Sequence, residues 1–382
     1  MKYLFILGRN VQLSIAEVFS YFEKENNKII SCVKVRNSLL LDFEKPIGKV
    51  IDSLGGVISI GEVIAEGNEK ELYNKIANME LYSLSKNKFN YVIWNFADED
   101  IFSSVSHALK ENFKREKVKA TEKKHRGLIK MQNKAYIENV SSSSTLDEEY
   151  FVFEKCFGKI IQKCDYEKIE ERDMKKPVRR SELSISPRLA KIMINLSRIK
   201  KGEMMLDPFC GIGVILQEAL LQDVKVIGID SDRNVISDAE KNLVWFKFKK
   251  ENYRLIAEDS RRVQNIRAGV IVTEPQLGEK LKRIPSNEEL KKLFYDFEKL
   301  MITVLRNIKN KVNGRIVFTS PFVKTSKGRI SCNIERIVKE TGLKIVKMDG
   351  IKGEGIDGDI QFPIHEFRED QIVGRDVVVL ER

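Results

Sequence analysis

Residues 206–213 read Leu206-Asp207-Pro208-Phe209-Cys210-Gly211-Ile212-Gly213, and Val226-Ile227-Gly228-Ile229-Asp230 follows after the apolar run from Val214 to Leu221. This is the order of a buried strand, a glycine turn, an apolar helix and a second buried strand that ends in a carboxylate. Gly211 and Gly213 let the backbone turn sharply and leave room for a ligand against bare peptide N–H groups. Asp230 stands at the tip of the second strand, where a carboxylate accepts hydrogen bonds from a ribose diol. A dinucleotide site would carry a third glycine in G-x-G-x-x-G, but Leu216 occupies that position. A βαβ turn without a ligand is the plain alternative.

The same pattern extends outward from this stretch. Pro187 opens a predicted helix to residue 199, and strands are expected at 203–207, 225–229, 253–257, 269–273 and 314–319. Helices at 214–221, 233–243, 288–309 and 330–341 alternate with them, which implies a doubly wound α/β sheet over 187–382. Strands near 343–348 and 374–380 follow without a helix between them, suggesting a hairpin at the sheet edge.

The amino-terminal half differs. A strand at 3–7, a helix from Leu13 to Lys24 with Ser14 as N-cap, strands at 29–35 and 39–43, a helix around 47–54 and a strand at 57–64 give a β-α-β-β-α-β order. Residues 1–65 are therefore expected to be a ferredoxin-like unit. Residues 66–165 form a second mixed unit, with a helix near 72–78, a strand at 91–95, a basic helix from Ser103 and strands around 127–139 and 150–163. The Ser141–Ser144 run reads as a hairpin tip. Residues 166–186, dense in charge and weak in periodicity, read as a linker.

At 382 residues the chain is long enough for two or three domains, and 42% apolar with 32% charged residues describes a globular protein. Lysine and arginine outnumber acids by 67 to 56, an excess that suits a polyanionic partner. Between Lys110 and Lys134 ten cations, among them Lys114, Lys119, Lys123, Lys124 and Arg126, face three acids. Phosphate contacts need such density more than a motif, although a solvated helix face has the same composition. Five scattered cysteines and three histidines argue against a disulfide framework and a zinc site. No apolar run suits a signal peptide or a membrane span, and a reducing cytoplasm is the expected compartment.

The Asp-Pro-Phe-Cys-Gly-x-Gly form resembles the S-adenosylmethionine (SAM) loop of amino-directed RNA and DNA methyltransferases, which implies SAM held by Asp207, Phe209, Gly211, Gly213 and Asp230. Asp259, closing the third strand, would hold the adenine amine, unless it is a solvated loop acid. Ser186, before Pro187, would turn helix N–H groups toward the methionine carboxylate or act only as an N-cap. After the fourth strand comes Thr273-Glu274-Pro275-Gln276-Leu277, where such enzymes carry Asp/Asn-Pro-Pro-Tyr/Phe. An exocyclic amine has its lone pair delocalised into the base, so its N–H groups must be held by acceptors while the aromatic ring stacks on the extruded base. Glu274 keeps the acceptor and Pro275 the rigid turn. Gln276 and Leu277 replace the second proline and the aromatic, and Phe322 is a candidate for the missing stacking face, or else core.

Further matches narrow the resemblance. Ile6-Leu7-Gly8-Arg9-Asn10 with Leu13-Ser14-Ile15-Ala16-Glu17, Glu171-Arg172-Asp173-Met174-Lys175-Lys176-Pro177, Ser186-Pro187-Arg188-Leu189-Ala190, and His365-Glu366 with Gln371-Ile372-Val373-Gly374-Arg375 resemble the THUMP-containing methyltransferases of the guanine-10 amino group of tRNA. The resemblance implies a Rossmann-like SAM-dependent domain preceded by ferredoxin-like and THUMP modules. The THUMP module would grip tRNA, Glu274, Pro275 and Gln276 would form the catalytic tip, and a small activator subunit is a further expected partner, if any. Two other readings stand beside it. One is a non-catalytic tRNA-binding protein that retains the SAM fold, which the Gln276-Leu277 departure favours. The other is a DNA amino-methyltransferase, which the amino-terminal half disfavours.

Overall fold

Short apolar runs become the inner strands of two sheets, Lys2–Leu7 and Val57–Glu66 in the first and Met204–Asp207 and Val270–Thr273 in the second. The computed structural model describes all residues except 83–86, 124–127, 131–135, 139–145, 181–184, 278–280, 349–352 and 357–358. In the first sheet β1 (Lys2–Leu7) is buried along nearly its whole length. The helix α1 (Val11–Lys24) packs its apolar face beside it. Its N-cap is Asn10, whose side chain accepts from the Leu13 amide, whereas the expected cap, Ser14, lies inside the first turn and donates to Gly56 O. β2 (Ile29–Val35), β3 (Ser38–Phe43) and β4 (Val57–Glu66) follow. The helix expected around 47–54 is only a 3-10 turn at Ile51–Ser53. Pro46 and Gly48 in front of it, with Gly55 and Gly56 behind, leave too short a run to propagate a helix.

The next unit contains α2 (Glu69–Asn78), β5 (Lys88–Phe96), α3 (Glu99–Arg115) and β6 (Lys119–Glu122). The two strand regions expected after it are each a pair. β7 (Leu128–Lys130) and β8 (Tyr136–Glu138) form a separate hairpin, and β9 (Glu148–Phe153) and β10 (Cys156–Lys163) form the other. The Ser141–Ser144 run lies outside the described residues. Strand order is β2-β3-β1-β4-β10-β9-β5-β6. The antiparallel pairing of β4 with β10 joins the two amino-terminal units into one sheet.

The linker holds an unanticipated helix, α4 (Tyr166–Lys175), which buries none of its residues. Without an apolar stripe it left no periodic signal. Asp165 caps it, and Arg172 anchors it to Glu218 at 2.8 Å.

The second sheet is built from β11 (Met204–Asp207), β12 (Lys225–Asp230), β13 (Tyr253–Ala257), β14 (Val270–Thr273) and β15 (Ile316–Thr325), all parallel. The helices α5 (Pro187–Leu196), α6 (Val214–Leu220), α7 (Arg233–Trp245) and α8 (Asn287–Ile308) flank it. Residues 330 and 331, expected as the start of a helix, instead end β16 (Gly328–Ser331), folded back on β15, and the helix α9 is confined to Ile334–Thr341. β17 (Lys344–Ile345) is short, and β18 (Lys347–Met348) pairs with β19 (Ile360–Gln361). β20 (Ile364–Glu366) pairs with the last strand, β21 (Val373–Glu381). As expected, the strands at the end of the chain form an antiparallel pair at the sheet edge: β17 is the edge strand and β21 inserts between it and β15, giving the order β13-β12-β11-β14-β15-β21-β17.

One buried carboxylate ties the sheets together. Glu17 of α1 accepts from the Gly55 and Gly56 amides at 2.7 and 2.6 Å and from Asn195 of α5 at 2.8 Å. Burial pushes its carboxyl above the usual range against those three donors. Arg188 and Lys191 of α5 add hydrogen bonds to the Gly55 and Asp52 carbonyls.

Candidate active site at the strand switch point

Strand order reverses at β11, with β12 and β13 on one side and β14 and β15 on the other. In a doubly wound sheet the crevice beyond the carboxyl ends of the strands at this point receives the ligand. Three predicted residues converge there: Asp207 ends β11, Asp230 ends β12, and Glu274 follows β14.

The loop after β11 is held as an open turn. Cys210 N donates to Ile229 O at 2.9 Å, and Gly211 N donates to Asp230 Oδ2 at 3.2 Å. Gly211 has φ +51° and Gly213 φ +87°, conformations that favour glycine. A Cβ added at Gly211 would meet nothing within 4 Å, so the turn faces open space. Gly213 is the N-cap of α6. Asp230 also accepts from Asp232 N through its other oxygen. Phe209 N bonds back to Asp207, and its ring packs on the core beneath α8.

Asp207 is buried to 1% exposure. Its Oδ1 accepts from Thr273 Oγ1 at 2.6 Å and from Phe209 N, while Oδ2 is buried without a hydrogen-bond partner among the described residues. Burial pushes the carboxyl up to about 7, with the Asp230 and Glu274 charges adding to the rise and Thr273 and Phe209 opposing it.

The tip after β14 is tied to β21. Arg375 Nε donates to Glu274 Oε1 at 2.5 Å, and Thr319 Oγ1 approaches the same oxygen at 3.5 Å. Pro275 is buried, Gln276 is exposed, and Leu277 packs against the core instead of facing a base. Phe322 does not supply an open stacking face. It is buried, with His365 stacked on it at 4.1 Å and 3° between planes. His365 Nδ1 in turn lies 2.5 Å from Oδ1 of the fully buried Asp376.

Two cofactor candidates are already engaged. Asp259 grips the Arg261 side chain with both oxygens and also accepts from its amide, an arrangement that holds the carboxyl below its usual range. Ser186 caps α5 by accepting from Leu189 N at 3.2 Å. Of the basic cluster, Lys114 lies in the last turn of α3, and Lys119 and Lys123 lie on or next to β6, the outermost strand of the first sheet. Lys124 and Arg126 fall outside the described residues. Sequence reading missed Arg375, Thr273 and Thr319 as site residues. Arg375 was visible only as part of a resembling carboxy-terminal stretch, with nothing to pair it with Glu274.

A scan against family models matches residues 172–320 to an RMKL-like methyltransferase domain, and residues 26–241, more than half of the chain, to a family described as DNA methylase. The tRNA (guanine(10)-N2)-dimethyltransferase of Methanothermobacter thermautotrophicus is 36% identical over 115 residues, 30% of this chain and 33% of that protein. The protein of that name from Pyrococcus abyssi is 25% identical over 283 residues, 73% of this chain and 78% of its own. The chain thus spans about a third of the length of the first of these relatives and about three quarters of the second. The crystal structure of TrmN from Thermus thermophilus superposes over 100% of both chains with a TM-score of 0.51 at 13% identity, a likeness of fold.

SAM is the cofactor of this family, and the residues fit it. The open Gly211 turn leaves room for the nucleoside beside Asp230. The unpaired, buried Oδ2 of Asp207 has the chemistry to accept from an ammonium group such as that of the methionine moiety. The chain belongs to the methyltransferase family whose model, described as DNA methylase, covers more than half of it, and it is similar to proteins named tRNA (guanine(10)-N2)-dimethyltransferase.

Proposed function

We propose that the protein methylates the exocyclic N2 of a guanosine in tRNA, at position 10 as the names of its relatives state. The observation that carries the reading is the Glu274 carboxylate, fixed by Arg375 at the mouth of the crevice that also holds Asp207 and Asp230. SAM supplies an electrophilic methyl group on a sulfonium. Both of Glu274's hydrogen bonds among the described residues fall on Oε1, which leaves Oε2 to accept one N–H of the target amine. As nitrogen gains the methyl group its N–H becomes more acidic, and Oε2 takes the proton on to solvent. Pro275 holds the turn so that this oxygen does not wander.

The first sheet then acts as the RNA-binding part, a THUMP-type module, with Lys114, Lys119 and Lys123 meeting phosphates. Among the described residues no helix is long and apolar enough to cross a membrane. With five free cysteines, the reading places the reaction in a reducing cytoplasm.

Transfer of labelled methyl from SAM to unmodified tRNA, with duplex DNA alongside, tests the proposal. Label in tRNA and not in DNA is the expected result. Label in DNA alone moves the substrate to the DNA methylase reading, and no transfer to tRNA by protein that binds both ligands makes it a binding protein. Replacing Lys114, Lys119 and Lys123 with alanine should weaken tRNA binding and leave SAM binding unchanged.

A further inference from the structure

Beside the Glu274 tip, three separate parts of the chain wall a cavity of about 290 Å³. Arg9 comes from the loop after β1, Lys176, Arg179 and Arg180 from the segment after α4, and Arg368 and Arg375 from the turn and strand that close the second sheet. Among the described residues two carboxylates line it, Asp173 and Glu366, and each is matched by a cation: Lys176 at 2.6 Å and Arg9. Small-molecule pockets are about 300–1,000 Å³ and mostly apolar; this one is at the small end and cationic. A helix with a solvated charged face does not explain it, because the cations arrive from distant stretches of sequence onto one concave wall. Arg375 belongs to both the cavity and the Glu274 tip, so whatever anion lies in the cavity is next to the reacting position.

We infer that this cleft holds the backbone phosphates of the RNA flanking the target nucleotide. The inference rests on the proposed tRNA substrate and assigns its strand a path. An amine drawn out of a stacked helix leaves its neighbouring phosphates close by, and neutralising them there sets the approach of the nucleotide to Glu274. Arg179 and Arg368 are the residues to change. Both are exposed, and neither is in an ion pair among the described residues. The other anion that could enter is the SAM carboxylate, since Ser186 also lines the cavity.

The test is the salt dependence of binding to an unmodified tRNA transcript, measured for wild type, the Arg179→Ala/Arg368→Ala double variant and the Arg179→Lys/Arg368→Lys double variant, with SAM affinity measured by calorimetry on each. If each arginine neutralises one phosphate, the alanine variant loses about 1.4–1.8 log units of affinity per log unit of salt from its slope. The lysine variant keeps most of the slope, and SAM affinity stays within twofold throughout. An unchanged slope in the alanine variant overturns the inference, as does a weakened SAM affinity with the slope intact, which would make the cleft a cofactor subsite. Wild-type protein that shows the cleft-dependent slope but methylates no tRNA would sink the functional reading and leave the cleft standing. Methylation of tRNA with no change of slope would do the reverse.

Discussion

Glu274 and Arg375 are 101 residues apart in sequence, yet the guanidinium of Arg375 donates to the Glu274 carboxylate, joining the carboxyl end of β14 to the amino end of the antiparallel β21. The pair is mostly shielded, with 11% and 21% of the side chains exposed. It has two consequences: it fixes one carboxylate oxygen, and it leaves an unpaired charge if either partner is removed.

Glu274→Gln keeps the size and one acceptor but gives up the charge. Methyl transfer should fall by roughly 10- to 150-fold, the equivalent of about 1.5–3 kcal/mol for a hydrogen bond to an ionised group. SAM and tRNA affinities should stay near wild type, because the contact strengthens mainly in the transition state. Arg375→Ala should reduce transfer too and also destabilise the fold by about 1–3 kcal/mol, between the values for exposed and buried pairs. Single-turnover rates with separate binding assays check both. A fully active Glu274→Gln protein would show that the acceptor lies elsewhere.

Asp207 makes stability pH-dependent. The folded protein holds its proton more tightly than the unfolded chain, whose aspartates titrate near 3.9. The contribution is therefore full below that range and is lost as pH rises through about 7. By pH 8 the loss is on the order of 4 kcal/mol in the ligand-free protein. Asp207→Asn should flatten the curve of melting temperature against pH between 5 and 8. SAM affinity in wild type should rise over pH 6–7.5 as the carboxylate forms beside the ammonium, and the Asn variant should lose that rise. Parallel melting curves for the two proteins would contradict the assignment.

Glu17 carries the contact between the two sheets. Glu17→Ala leaves the Gly55 and Gly56 amides without their side-chain acceptor and removes one of the two acceptors of Asn195 Nδ2, which keeps Ser53 O, at a cost of about 3–5 kcal/mol. Gly55→Ala should be at least as damaging, since an added Cβ would meet Arg188 O at 2.0 Å. Denaturant melts followed separately on each half of the molecule check this. A single transition at the wild-type midpoint in both variants would remove Glu17 from the interface account.

The parallel part of the second sheet was legible because β11 to β15 are short apolar runs, all but β13 and β14 separated by a helix, and the glycine turn with Asp230 marks the switch point. Local patterning of that kind could not show α4, which buries none of its residues, or the 3-10 turn at Ile51–Ser53. Nor could it show that β4 and β10 join two units in one sheet, since that pairing spans most of the first half of the chain. Within the site, Asp207, Asp230 and Glu274 were visible as residues at strand tips. The bond from Arg375 and the covering of Phe322 by His365 depend on where β21 inserts, and a strand's place in a sheet is a non-local fact. The cationic cleft was hidden for the same reason: its arginines come from three stretches that show no motif together.

The most direct measurement is mass-spectrometric nucleoside analysis of an unmodified tRNA transcript after incubation with purified protein and SAM, with the modified position mapped by nuclease fragments. The account predicts N2-methylated guanosine at a single position, position 10, appearing with wild-type protein and strongly reduced with Glu274→Gln. Methylation at a ring nitrogen, a carbon or a ribose, or N2-methylguanosine formed equally well by the Glu274→Gln protein, would contradict it.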